Sequence, residues 1–196
     1  MRHVGNRYST SKCFSETDLN DNLTYYGFRG EALSSISQCS LVEIVTRHRH
    51  STQTLMKFIK EGDELAFQES PISRPAGTQI TVKSLFYNMP VKRKMCEPAT
   101  EKESCRKAVI TLALANPEIE FSLHDVCHSQ KLLDLKKAPS LLRRFEDIFG
   151  KRRGEFMAPA DIQIAVESTK LRVSGSLSTN LSFLPDGPNY CEMVTQ

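Results

Sequence analysis

Gly27 and Gly30 stand three residues apart, immediately before Glu31-Ala32-Leu33, where a run that reads as a helix begins. Glycine permits backbone angles closed to other residues and lets a ligand approach the main chain. The first N–H groups of a helix lack intrahelical acceptors and carry the positive end of the macrodipole. Together these make a phosphate-binding corner, with the N–H groups of Glu31, Ala32 and Leu33 as donors. Glu31 is itself an anion, so its side chain is expected to turn away while its N–H binds. Arg29, between the glycines, has two open roles: reaching the phosphate, or tying the loop to the sheet through a carboxylate. Thr10-Ser11-Lys12 supplies two hydroxyls and an ammonium in a row, which suit phosphate oxygens and a magnesium-bound triphosphate. Its bland alternative is a solvated turn.

Lys92-Arg93-Lys94, Arg143-Arg144 and Lys151-Arg152-Arg153 are the basic clusters. Charge runs are most often solvated faces. Their functional reading is contact with the phosphate backbone of DNA, without readout of the bases. His48 and His50 flank Arg49, and His124, Cys127 and His128 are close in sequence. Neither spacing matches a structural zinc site, so both sets read as surface residues and no metal ligand is assigned. No nucleophile–base arrangement follows from residue order alone, and no catalytic residue is assigned.

The elements that must position these groups alternate in type. Residues 1–26 are polar and aperiodic, which is loop chemistry. A loop of that length is usually functional or mobile. A helix is expected over Glu31–Gln38 and a strand over Leu41–Thr46. A hairpin, Thr54–Lys60 with Glu64–Gln68, turns about Glu61-Gly62-Asp63. In the strand Thr78–Lys83, Thr78, Ile80 and Val82 share a face. A helix is expected from Glu101 to Ala115, with Thr100 and Glu103 as its capping box. Its apolar stripe would be Cys105, Ala108, Val109 and Leu112. Asn116-Pro117 ends it. Strands follow at Ile119–Leu123 and Lys131–Leu135, with a turn near Cys127. Ser140 caps a helix over Leu141–Phe149, which carries Leu142, Phe145 and Phe149 on one side and stops at Gly150. A last hairpin joins Ile162–Val166 to Leu171–Leu177. Helices alternating with antiparallel pairs predict an α+β fold.

A chain of 196 residues makes one or two small domains. With 39% apolar and 25% charged residues it is a globular rather than a disordered sequence. No apolar run reaches the length of a membrane span, no signal-peptide pattern opens the chain, and no membrane association is expected. The chain therefore reads as intracellular. Six scattered cysteines read as reduced thiols. A net charge of +3 does not by itself argue for nucleic-acid binding.

Taken together, Gly27-Phe28-Arg29-Gly30-Glu31-Ala32-Leu33 resembles the third nucleotide-binding motif of the MutL family of DNA mismatch-repair ATPases. Arg7-Tyr8-Ser9-Thr10-Ser11-Lys12 resembles the family's lid motif. Gly77-Thr78-Gln79-Ile80-Thr81-Val82 resembles its Gly-Thr-x-Val-x-Val strand. Leu85-Phe86-Tyr87-Asn88-Met89-Pro90-Val91-Lys92-Arg93-Lys94 resembles the segment after it. Val4 to Tyr8 and Ser11 to Cys13 lean toward the eukaryotic MutL homologue 3 branch.

The resemblance implies the Bergerat (GHKL) ATPase sandwich shared with histidine kinases, gyrase and Hsp90. It would be N-terminally truncated over 1–138 and followed at 139–182 by the start of a ribosomal-S5-like transducer domain. Lys136-Lys137 and Pro139 mark that boundary, and 183–196 make an atypical tail. The resemblance implies ATP and Mg2+ as cofactors, with ATP held by Thr10, Ser11, Lys12, Gly27, Arg29, Gly30, Glu31, Ala32 and Leu33. The Thr78 hydroxyl would meet adenine or a bridging water, against its reading as a plain strand residue. It also implies DNA mismatch repair in the nucleus. Its partners would be another MutL homologue in a heterodimer, DNA, and MutS-type mismatch-recognition proteins.

The family's catalytic Glu and magnesium-binding Asn, and its Asp-x-Gly-x-Gly turn, precede the lid motif and are not among these 196 residues. By this reading the chain is an internal piece that does not hydrolyse ATP alone. The alternative is a non-catalytic DNA-binding or heterodimerisation module of a MutL homologue. A further rival is another ATPase of the same superfamily.

Overall fold

Apolar–polar alternation builds the larger of three sheets. The computed structural model describes residues 2–13, 27–155, 157–166 and 169–178. Strands β1 (Leu41–Arg47), β2 (Leu55–Lys60), β3 (Asp63–Glu69) and β4 (Gly77–Lys83) run antiparallel in the order β3-β2-β1-β4. Register sets Val42 opposite Ile59 and Val82, and Ile44 opposite Lys57 and Ile80, so these six share a face. Val42, Ile44 and Ile59 are the buried core of that face. Helix α1 (Ala32–Gln38) lays Leu33 against them. Burying each such side chain contributes roughly 1.5–3 kcal/mol.

Lys57 is as buried as its apolar neighbours, so its ammonium must be satisfied inside the protein. It donates to the Arg2 carbonyl at 2.6 Å and pairs with Glu64 at 2.8 Å, which lays the N-terminal segment on the sheet. The turn after β4 locks the other end of α1. Phe86 N–H donates to Cys39 O at 2.7 Å and Asn88 Nδ2 donates to Gln38 O at 2.8 Å. A short helix, α2 (Pro90–Met95), follows with proline in its first turn, where the missing N–H costs nothing.

The chain packs as two compact units, residues 1–96 and 97–196. Pro139, the boundary read from sequence, falls inside the second. That unit contains α3 (Pro98–Ala115), the hairpin β5 (Phe121–Asp125) and β6 (Gln130–Leu135), and α4 (Leu141–Phe149). A single turn, α5 (Lys151–Gly154), and the hairpin β7 (Met157–Val166) and β8 (Thr169–Ser178) follow. No helix of the described residues is long and apolar enough to cross a membrane. No disulfide joins the described cysteines; Cys191 and the tail lie outside the described residues.

Two expectations fail in α3. The helix starts at Pro98, so Thr100 lies inside its first turn. The Thr100 hydroxyl donates to the Glu97 carboxylate and Glu103 is paired with Arg106; no capping box forms. The buried side carries Ile110 and Ala113, while Cys105, Ala108 and Leu112 face outward. In α4 the expected cap holds: Ser140 Oγ accepts the Arg143 N–H at 3.2 Å. Phe145 and Phe149 meet with ring centroids 4.7 Å apart, but Leu142 is exposed.

Candidate nucleotide corner and basic surfaces

The two short motifs that sequence placed near phosphate come together in space. Gly27 and Gly30 both take positive φ, +83° and +62°, and the Gly30 N–H closes a turn onto Gly27 O at 3.3 Å. The Arg7–Lys12 segment docks on that turn. Tyr8 N–H donates to Gly30 O at 3.1 Å, and Thr10 Oγ1 donates to Gly27 O at 2.8 Å. The fit is close: a Cβ on Gly30 would lie 2.7–2.9 Å from the Ser9 backbone. Glycine at 30 is therefore needed twice, for its backbone angle and for the approach of Ser9.

Each candidate can be placed. Glu31 turns its carboxylate toward Arg7, 3.7 Å away, leaving its N–H with those of Ala32 and Leu33 at the head of α1. Thr10 is committed within the protein, since its hydroxyl also accepts the Lys12 N–H at 3.1 Å. Ser11 and Lys12 are exposed beside it. Arg29 is exposed, its guanidinium 5.3 Å from the Phe28 ring centre. Among the described residues no carboxylate pairs with it. Thr78 opens β4 and shares a 2.7 Å hydrogen bond with the Thr46 hydroxyl. Mg2+ fits this corner poorly. Its ligands are hard oxygens such as carboxylates, Glu31 is turned to Arg7, and the described residues contain no cluster suited to a metal.

Sequence reading passed over Tyr8, Ser9 and Asn88. Tyr8 adopts φ +63° to aim its N–H at Gly30, and Asn88 holds the far end of α1. All three lie inside the recognised motifs, but which atoms serve is a matter of contacts between distant segments. Tyr87, beside Asn88, donates its hydroxyl to Glu61. That bond pushes its pKa up to about 12, so the phenol stays protonated and supplies no base at neutral pH.

The basic clusters separate. Lys92, Arg93 and Lys94 are exposed on α2, with the Lys92 ammonium 4.4 Å from the Phe86 ring centre. Lys151, Arg152 and Arg153 are exposed on α5. Arg144 does not belong with them. It is completely buried, and Nη2 donates to Pro117 O and Ile119 O, each at 2.6 Å. A guanidinium with no surface cannot reach a phosphate, so the DNA reading of Arg144 is withdrawn. Arg143 is half engaged, pairing with Glu146 and Asp147 at 3.4 and 3.1 Å.

No family model matches the chain. Among curated proteins, the DNA mismatch repair protein Mlh3 of Homo sapiens is 36% identical over 185 residues, covering 93% of this chain and 12% of its own length. The DNA mismatch repair protein MutL of Pelodictyon phaeoclathratiforme is 37% identical over 172 residues, covering 87% of the chain and 26% of its own. The chain thus spans well under half of these relatives. Among solved structures, the Aquifex aeolicus MutL ATPase domain complexed with ADP superposes with a TM-score of 0.56 at 27% identity. That match covers 82% of this chain and 59% of that one.

Proposed function

Since the chain belongs by homology to the MutL family of DNA mismatch-repair proteins, with the GHKL ATPase α+β fold, we propose that its lid–glycine corner binds the phosphates of ATP. In the protein of which these residues form the nucleotide-binding region, that binding would be coupled to dimerisation and to signalling on DNA. One observation carries the reading: the Arg7–Lys12 segment is hydrogen-bonded onto the Gly27–Gly30 turn at the head of α1. Two segments rich in phosphate donors thereby share one corner. Ser11 and Lys12 supply a hydroxyl and a charge, Arg29 a second charge, and Glu31 to Leu33 the backbone donors. Thr10 acts by shaping the lid rather than by touching phosphate. Thr78 stands at the sheet for the base.

The proposal extends to the domains, with 1–138 as a partial ATPase domain, 139–182 as the start of the transducer and 183–196 as an atypical tail. It includes a nuclear location, a MutL-homologue partner in a heterodimer, and communication with MutS-type proteins. ATP is the nucleotide. Mg2+ would come with it, but no ligand for the ion is assigned to this chain.

The test is titration of a fluorescent ATP analogue into the 196-residue chain and its Lys12→Ala variant. Loss of one charge from the phosphates weakens affinity by about tenfold, the equivalent of a charge-assisted contact of ~1.5 kcal/mol. Equal affinities would remove Lys12 from the site, and no saturable binding by either chain would overturn the reading. The second reading, a DNA-binding or heterodimerisation module without catalysis, draws support from the exposed lysines and arginines of α2 and α5. It is distinguished by duplex binding that is indifferent to nucleotide.

A further inference from the structure

The hydroxyls of Thr46 and Thr78, paired across β1 and β4, belong to a hydrogen-bond chain that has a direction. Thr46 Oγ1 donates to Gly77 O at 3.2 Å and lies 2.7 Å from Thr78 Oγ1. A carbonyl oxygen only accepts, and a hydroxyl has one proton to give. With the Thr46 proton on Gly77 O, the 2.7 Å bond is donated by Thr78. Thr78 Oγ1 has then spent its own proton and presents lone pairs only. Thr46 is half-buried and Thr78 exposed, so it is this acceptor that a ligand meets.

Register places the pair on the face of the sheet that holds the core. Thr46 stands opposite Thr78, Ile44 opposite Ile80 and Val42 opposite Val82. Helix α1 packs on β1 and β2, so Val42 and Ile44 are sealed. On β4, Ile80 and Val82 keep 47% and 41% of their surface exposed. The helix also has a direction on this face. It ends at Gln38 and β1 starts at Leu41, so α1 folds back over the strand, and Leu33 in its first turn reaches Val42, Ile44 and Ile59. Its head therefore points toward the end of β1 that carries Thr46. An open apolar strip on β4, closed by an acceptor-only hydroxyl, thus lies at the same end of the sheet face as the phosphate corner. Apolar support with a few placed polar groups is how a flat ring is oriented and recognised.

We propose that Thr46 is a positioning residue for base selection: it fixes Thr78 as a hydrogen-bond acceptor, so that the site takes a purine with a 6-amino group and refuses one with a 6-oxo group. An amino N–H donates to the Thr78 lone pairs, whereas an oxo oxygen meets them acceptor to acceptor. The inference rests on the nucleotide reading proposed above and adds the residue that sets its choice of base.

The experiment displaces a fluorescent ATP analogue from the 196-residue chain with ATP and, separately, with inosine triphosphate, and reads the ratio of the two affinities. The unchanged chain is expected to favour ATP about tenfold, the effect of one hydrogen bond made to the amino group and refused to the oxo group. Thr46→Val keeps the shape and removes the hydroxyl. Thr78 is then free to turn its proton outward, so inosine triphosphate gains affinity and most of the preference is lost. Thr46→Ser restores the hydroxyl and with it the preference. Lys12→Ala weakens both nucleotides alike and leaves the ratio where it was. Should Thr46→Val fold poorly, Thr78→Val reads the same ratio from the other partner and must abolish it. A ratio that survives Thr46→Val or Thr78→Val, or an unchanged chain that does not distinguish the two nucleotides, overturns the inference. Either outcome returns the pair to an ordinary cross-strand contact and leaves phosphate binding at the corner intact. A chain that binds neither nucleotide saturably overturns both readings.

Discussion

Gly27 and Gly30 share a left-handed backbone but not a neighbourhood. Among the described residues a Cβ at Gly27 would meet nothing within 4 Å, whereas one at Gly30 would meet the Ser9 backbone at 2.7–2.9 Å. Alanine at either costs about 1–2 kcal/mol for its backbone angle. At Gly30 the lid segment must also move. Gly30→Ala is therefore expected to destabilise the protein more than Gly27→Ala and to weaken nucleotide binding more, measured by urea denaturation and analogue titration of both. Equal effects would mean that the Ser9 contact contributes nothing. The glycine pair and its role at a helix head were legible in sequence, because few residue types tolerate such angles. Arg144 was not. Its acceptors, Pro117 and Ile119, lie on a different element, and nothing local separates it from its exposed neighbour Arg143.

The strands of the four-stranded sheet were legible almost to the residue, since period-two alternation and the Glu61-Gly62 turn leave few registers open, whereas β5 starts two residues after the expected Ile119 and β7 five residues before the expected Ile162. Helix α3 was legible as a helix but not in its start or its phase. The helix starts at Pro98, whose missing N–H leaves one fewer first-turn donor to satisfy, and no side-chain cap forms, so the Thr100–Glu103 pattern marks no cap. Its apolar residues are spread widely enough that two faces were open, and tertiary packing selected Ile110 and Ala113. The difference in capping predicts a contrast. Ser140→Ala is expected to cost about 1 kcal/mol and Thr100→Ala clearly less, as read from thermal or urea melts; the reverse order would restore the capping box. The β5–β6 turn depends on charge instead. Asp125 Oδ1 accepts the His128 N–H, while Oδ2 meets the His128 ring at 2.7 Å and Lys102 at 3.3 Å. The hydrogen bond from His128 chiefly, with help from Lys102, holds the carboxyl below its ordinary pKa. A depressed carboxylate pKa stabilises the fold fully above the unfolded value, about 3.9, and the contribution is lost as pH falls through the lower folded value. Asp125→Asn should therefore flatten the acid side of the stability profile below about pH 4, leaving the parts owed to Asp134 and Glu103, which are depressed by Lys131 and Arg106. Superimposable wild-type and variant profiles under acid would remove Asp125 from the turn's energetics.

At the scale of the whole molecule the net charge of +3 says little, and the placement of charge says more. Burial removes Arg144 from the accessible cations, and Glu146 and Asp147 screen Arg143, so the surface around α5 reduces to Lys151, Arg152 and Arg153. Such a surface, if it tracks a phosphate backbone, binds any sequence and does so with steep salt dependence. Changing Lys151, Arg152 and Arg153 together to glutamine should flatten the log–log salt slope by up to ~3, at about 0.9 for each contact. Affinity should fall by a similar factor on unrelated duplexes, because no base edge is being read. Thermal stability should move little, since exposed charges contribute little to folding. Arg143→Gln, by contrast, should change the slope only slightly, because its charge is already shared with two carboxylates on its own helix. Fluorescence anisotropy on two duplexes of different sequence, at four or more salt concentrations, measures all of this. A slope unmoved by the triple change would return α5 to an ordinary solvated turn. A loss confined to one of the two duplexes would show that the surface reads sequence, against the assignment made here.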